Sequence, residues 1–157
     1  MIVKVIAMAA VVVWTAVFML KTPNMNMEKC GETVIIFKPD ALERHLQIDL
    51  HKLLEDNKFV IRDEKTFTWT GTLIISFYRE HLEKPFFKDL YASLLGKQST
   101  ALLVVSLDHH KDAVKHWRSM VKEIRLEYQL DSTRNTVHGS DSCRSVAREK
   151  HFLFEWN

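Results

Sequence analysis

The chain has 157 residues, with 22 Lys and Arg against 20 Asp and Glu, two cysteines, 46% hydrophobic and 10% aromatic content. One domain is the natural count, and the composition excludes wholesale disorder, a collagenous fibre and a disulfide-rich mini-protein. A formal charge of +2 argues against a nucleic-acid protein held by a broad basic surface, so any bound anion must be met by a local cluster. Cys30 and Cys143 stand at opposite ends of the chain. A long-range disulfide is open to a secreted protein, but usage favours two thiols in a reducing compartment, and the spacing excludes zinc through Cys.

Residues 2–20 are apolar apart from Lys4 and Thr15; Lys21 closes the run and Thr22-Pro23-Asn24 breaks it. The run is long enough to span a bilayer if Lys4 reaches the interface. No small-residue cleavage site follows Phe18-Met19-Leu20-Lys21, and no Arg precedes it, so signal and transit peptides fit less well. Two readings stay open. Residues 1–24 are a membrane anchor, or the working start is Met25 or Met27 and the domain is cytoplasmic or mitochondrial. Either way a domain over 25–157 is expected to fold without them.

From Glu28 onward strands and helices alternate. Thr33–Phe37 is a short β-branched apolar run and predicts a buried central strand. Leu42, Leu46, Leu50, Leu53 and Leu54 recur at helical spacing and predict an amphipathic helix over 41–56. A second strand is expected over 59–69, then two short helices over 72–81 and 85–95, the latter opened by Pro85. Ala101–Leu107 reads as another buried strand. Residues 110–122 read as a helix with Ala113, Val114, Trp117, Met120 and Val121 on its apolar side, and 145–154 as a final helix. With a last strand between these helices, the order gives an α+β sandwich around a small sheet.

The densest polar cluster runs from Arg134 to Ser142 and holds His138 among hydroxyls, an amide and Gly139. It reads as a polar loop with a surface His, or as a nucleophile or base whose second ring nitrogen is held by an acceptor. Lys38 directly follows the first buried strand, well placed to meet an anion. The plainer alternative is a solvated loop lysine with Asp40 capping a helix. Tyr78, His81 and Phe86 end two short helices, where most such aromatics are core. Arg118 and Arg125 suit multidentate phosphate binding, or simply line an exposed helix face.

Taken in order, the strings Val34-Ile-Ile-Phe-Lys38-Pro-Asp40-Ala, Phe77-Tyr78-Arg-Glu-His81 with Lys84-Pro-Phe-Phe87, and Arg134-Asn135-Thr-Val-His138-Gly-Ser140-Asp-Ser142 resemble the nucleoside diphosphate kinases. The resemblance runs over roughly 32–150, and its Asn-x-x-His-Gly-Ser-Asp-Ser string is highly specific. Trp117-Arg118 and the Asp131-x-x-Arg-Asn-Thr string look more like the divergent animal branch, such as the sixth type. The resemblance implies a ferredoxin-like βαββαβ sandwich with an added helical hairpin. It also implies ping-pong transfer of the ATP γ-phosphate through a phospho-His, with Mg²⁺ bridging phosphates. His138 would be the nucleophile, Glu149 would accept from its far nitrogen, and Ser140 would hold Glu149. Lys38, Tyr78, Arg118, Arg125 and Asn135 would position phosphates and sugar, and His81 would lie near the terminal phosphates. Phe86 would stack on the base beside Leu90, which admits many nucleoside di- and triphosphates. No specific nucleic acid is implied, and a membrane only if residues 2–20 are retained.

The departures bear on activity. Arg118 to Arg125 crosses in seven steps what is a longer segment in the family, and the Thr that helps hold phosphate there has no counterpart. The missing piece lines the cleft and packs between subunits, so a homo-oligomer would be weakened. Leu95-Gly96-Lys97-Gln98-Ser99 replaces the family's Ser-Gly-Pro, and Ala147 stands where a Glu is usual. The nucleophile end is kept and the cleft wall is trimmed. An impaired kinase is the first expectation; a binding or scaffold module with little turnover, or a defective product of an active gene, are the alternatives.

Overall fold

The computed structural model describes residues 29–108 and 112–155. The apolar run over 2–20 lies outside the described residues. Four strands form one antiparallel sheet in the order β2-β3-β1-β4: β1 (Glu32–Phe37), β2 (Phe59–Thr68), β3 (Gln98–Ser106) and β4 (Val137–Gly139). Between them lie α1 (Pro39–Glu43), α2 (Gln47–Asp56), α3 (Gly71–Phe77), α4 (Phe87–Leu94) and α5 (Ala113–Tyr128). After β4 come α6 (Cys143–Lys150) and a π-helical turn at His151–Glu155.

The central strands carry continuous apolar runs, Val34–Phe37 and Ala101–Val105, because the sheet is covered on both faces. Val34 and Ile36 of β1, with Ala101 and Leu103 of β3, point into a core with Trp69, Ile74, Phe77, Leu94 and Val146. Ile35 and Phe37, with Leu102 and Val104, point into the other core with Leu54, Trp117, Ile124 and Val137. The period of two along each strand thus feeds two cores, one against α2 and α5, the other against α3, α4 and α6.

Several boundaries differ from the sequence reading. The helix expected over 41–56 is two helices. Arg44 Nε turns back to Asp40 O at 2.9 Å, Leu46 N donates to Ala41 O at 3.0 Å, and His45 sits in the left-handed region at φ +57°. The helix expected over 72–81 ends at Phe77, and a 3₁₀ turn at Arg79–His81 follows. The helix expected over 110–122 runs on to Tyr128, so Arg118 and Arg125 lie on one helix. Gly96 makes the turn between α4 and β3 at φ +74°, a conformation that suits glycine.

The cysteines are a correction. Cys30 and Cys143 are bonded to each other, with Cα atoms 5.4 Å apart, not two free thiols. Residue usage could not register that the topology brings them together. Cys30 precedes β1, where its N–H donates to Asp112 Oδ2 at 3.0 Å and its carbonyl accepts from Ala113 N at 2.8 Å. Cys143 opens α6, which packs beside β1.

Candidate active site

β4 pairs His138 with Ile36 of β1, setting the histidine next to the strand that leads into Lys38. The His138 Nε2 atom lies 3.1 Å from Glu149 Oε1, close but off the line of a straight hydrogen bond. Glu149 is buried on α6, and its other oxygen accepts from Ser140 Oγ at 2.7 Å. Ser140 in turn accepts from Val34 N at 3.2 Å, so the carboxylate is anchored to the central strand. The rings of Phe77 and Tyr78 stand edge-on to the imidazole, with centroids at 5.3 and 6.2 Å. His138 Nδ1 makes no hydrogen bond to the described residues, which leaves it as the nitrogen with a lone pair to offer.

Lys38 is not a solvated loop lysine, and Asp40 is not a cap. The Lys38 side chain is 4% exposed; Nζ donates to Thr133 O and, at 2.8 Å, to Asn135 Oδ1. Burial pulls its pKa down to about 8, against the opposing charges of Asp40 and Asp131 and with Arg125 adding to the fall. Asp40 sits inside α1, buried, where Oδ2 accepts from Thr136 N at 3.0 Å and from Arg44 at 3.1 Å. That contact holds Thr136 at φ +70°, a strained setting for a β-branched residue two places before the histidine.

Arg118 and Arg125 are seven residues apart on one continuous helix, about two turns, so both face the same way. The shortened connection therefore still delivers Arg125 to the cleft. Its Nη2 donates to Val137 O at 2.9 Å, while Nε is buried without a partner. Burial lowers its pKa, Tyr78 opposing and Arg118 reinforcing. Arg118 is exposed and makes no hydrogen bond or ion pair to the described residues.

A cavity of about 620 Å³ joins these groups: Lys38, Tyr78, His81, Phe86, Leu90, Arg118, Arg125, Asn135, His138 and Glu149 all line it. Ser140 stands behind Glu149. Phe86 is half-exposed at the rim, its ring 5.6 Å from His81, and Leu90 is buried beside it. Tyr78 is buried; burial raises its pKa, with Glu149 adding and Arg125 opposing. Every residue expected in the site converges on one cleft or directly supports a residue there.

Other contributors were missed as site parts. Trp117, expected only as core, donates from Nε1 to His138 O at 3.2 Å. Gly139 leaves room for that ring, since a Cβ there would lie 2.2 Å from the indole Cδ1. Asp131 ties the turn that feeds the cleft: Oδ1 accepts from Thr133 N, Thr133 Oγ1 and Arg134 N, and Oδ2 from Arg134 Nε at 2.7 Å. The Asp-Ser-Thr run is itself a turn signal that could have located it.

The nucleoside diphosphate kinase family model matches residues 31–157. The chain belongs to the nucleoside diphosphate kinase family. A nucleoside diphosphate kinase of Histophilus somni (strain 129Pt) is 33% identical over 133 residues, covering 78% of this chain and 92% of the relative. That aligned length exceeds the share of this chain it takes up, as a missing block would give. Nucleoside diphosphate kinase 6 of Danio rerio is 32% identical, covering 78% of this chain and 75% of its own. Among solved structures, the nucleoside diphosphate kinase of Aquifex aeolicus matches with TM-score 0.71 at 29% identity over 78% of this chain and 94% of that one. Likeness extends to bacterial enzymes and to the sixth type alike. Members of this family are phosphotransferases that bind nucleotides, and the antiparallel sheet with its helices is the ferredoxin-like fold expected from the motifs.

Proposed function

We propose that this nucleoside diphosphate kinase is catalytically competent and works through a phospho-histidine on His138. The observation that carries it is the chain of contacts Val34–Ser140–Glu149–His138 Nε2, which turns Nδ1 away from its support. Nδ1 attacks the terminal phosphorus of ATP, the bridging P–O bond breaks, and its electron pair leaves with ADP. A second nucleoside diphosphate then takes the phosphoryl group by the reverse route. Glu149 steadies the positive charge that grows on the ring. Lys38, Arg125 and Arg118 offset the charge spreading over the phosphate oxygens, and Asn135 and Tyr78 frame sugar and phosphates. Phe86 stacks on the base, with Leu90 beneath it.

Among the described residues no three His, Cys, Asp or Glu side chains converge as a metal site, and the cleft sets the cations Lys38, Arg118, Arg125 and Arg148 beside the carboxylates Glu80, Asp141 and Glu149. Mg²⁺ fits as a guest of the nucleotide's phosphate oxygens, with Asp141 the lining carboxylate free of an ion pair. When bound, it neutralises phosphate charge. The trimmed wall supports weaker nucleotide binding and a weakened homo-oligomer, and light scattering tests the latter. The Cys30–Cys143 bond supports a working place in an oxidising compartment, tested by whether a maleimide labels either cysteine in intact cells without a reductant.

The test of the reaction is intact mass spectrometry of the full chain after ATP and Mg²⁺ at neutral pH. An acid-labile phosphate adduct, discharged by a nucleoside diphosphate and absent from His138→Ala, is the expected result. A folded protein that gains no adduct returns the chain to the binding-module reading.

A further inference from the structure

The outer side of α5 carries a second cavity of about 350 Å³, lined by Arg118, Lys122, Arg125, Gln129 and Gly139 with two aliphatic side chains. It shares Arg118, Arg125 and Gly139 with the nucleotide cleft, so the two are continuous at the phosphate end, beside His138. Residues 118, 122, 125 and 129 form one stripe along the helix. The three cations span about 10 Å at the helical rise. No carboxylate and no aromatic ring belongs to the lining. The carboxylates of α5 lie elsewhere: Glu123 and Glu127 line a separate groove against α2. Lys122 is exposed and pairs with no described residue. A one-sided row of cations of this kind answers a row of closely spaced anions. Arginine forks match phosphate oxygens, while the missing aromatic surface leaves nothing to stack the bases of a nucleic acid.

We propose that this groove binds the trailing part of a linear inorganic polyphosphate whose end phosphate lies at His138, so that the chain serves as a phosphoryl donor in place of ATP. The proposal rests on His138 being the nucleophile. Nδ1 attacks the end phosphorus, the bridging P–O bond breaks, and the electron pair stays on the new terminal oxygen of a chain one phosphate shorter. No further reactant is needed.

The experiment mixes the full chain with Mg²⁺ and, in separate arms, ATP, inorganic tripolyphosphate, a several-fold longer linear polyphosphate, and adenosine tetraphosphate. Acid-labile mass gain on His138 and half-saturating concentration are read in each arm. The longer chain should half-saturate at a concentration about tenfold below that of tripolyphosphate, a preference of about 1.4 kcal/mol. Lys122→Glu should remove that preference and leave labelling by ATP unchanged. Equal response to both inorganic chains, no labelling by either, or indifference to Lys122→Glu overturns the groove while the ATP arm still labels His138. Labelling absent in every arm sinks the kinase reading instead. A Lys122-dependent response confined to adenosine tetraphosphate, or equal Lys122-dependent competition by an acidic peptide or single-stranded DNA, assigns the groove to another anion and overturns the proposal.

Discussion

The two walls of the cleft are held in different ways. On the β4–α6 side, His138 is backed by Glu149, Glu149 by Ser140, and Ser140 by the backbone of the central strand, every support buried. On the α5 side, Arg118 is exposed and Arg125 is held by one bond to Val137 O. The first wall is preorganised. The second is a pair of charges on a helix that adapts to what binds. Preorganised groups contribute most to phosphoryl transfer because they need no rearrangement at the moment of reaction. On the proposed reading the chemistry rests chiefly on the β4–α6 wall, which α5 meets through the bonds of Trp117 to His138 O and of Arg125 to Val137 O.

The sharpest way to break this contrast is to cut one support from each wall. Glu149→Gln should lower turnover by about a hundredfold, the scale of losing the partner of a positioned acid–base group. Arg118→Gln should cost about tenfold, chiefly in KM, since one charge-assisted contact to phosphate is removed and no buried group is stranded. Steady-state kinetics on both variants decides it. A larger loss in the arginine variant would mean that the helix, and not the β4–α6 wall, is the fixed part.

Next in size is Gly139→Ala. The new methyl would lie 2.2 and 2.4 Å from the Cδ1 and Nε1 atoms of Trp117, a ring wholly buried against Phe59 and the sheet. The ring cannot move away without breaking its bond to His138 O. Overpacking of this kind destabilises by about 1–3 kcal/mol. Thermal melting should show the loss, and turnover should fall with it because the imidazole's backbone shifts. A variant with unchanged melting and full activity would mean that Trp117 is not the rigid back of the site.

The disulfide tests whether the firm wall is firm on its own. Cys30 and Cys143 close a loop of sequence separation 113 and tie the first turn of α6, the helix of Glu149, to the start of β1. Replacing both by serine should lower stability by about 2–4 kcal/mol, read from a denaturant midpoint. Activity well below the transition should fall less than in Gly139→Ala, because Ser140 still anchors Glu149 to Val34. An unchanged midpoint would show that β1 and α6 already hold each other through their packing.

How much of this was legible in the sequence depends on what kind of interaction did the work. The central strands were readable because runs such as Ile35-Ile36-Phe37 can be buried only on both faces of a sheet. That His138, Ser140 and Glu149 meet was expected from the resemblance, and the structure brings the three side chains together. Helix ends were not readable, since the break at His45 arises from Arg44 folding back on Asp40, a contact invisible to periodicity. The disulfide was not either, because a separation of 113 residues carries no local signal. Arg125 lay between these cases. Its type marked it as a candidate phosphate-binding cation, but only the unbroken course of α5 to Tyr128 shows that it reaches the cleft.

The smallest effect, and the one that joins both walls, concerns Lys38. Its ammonium donates to the Thr133 carbonyl and to Asn135 Oδ1, and the charges of Asp40 and Asp131 favour its proton while that of Arg125 opposes it. Burial brings its pKa to about 8 from the ordinary 10.5. Between those values the unfolded chain holds the proton and the folded chain does not, so Lys38 adds to stability as pH rises through that window. Below about pH 8 the folded protein keeps the buried charge and bears its desolvation in full. Activity should move the other way, since the neutral amine no longer offsets phosphate charge: turnover at low nucleotide should decline above about pH 8. Saturating nucleotide should push that limb upward, because bound phosphate favours the ammonium. Asp131→Asn should move it downward, having lost a charge that favours the proton and part of the turn that presents Thr133. A pH series of kcat/KM for the parent and Asp131→Asn, with Lys38→Met as reference, separates these effects. A limb that stays in place in Asp131→Asn would limit that carboxylate to shaping the turn, and one that persists in Lys38→Met would belong to another group.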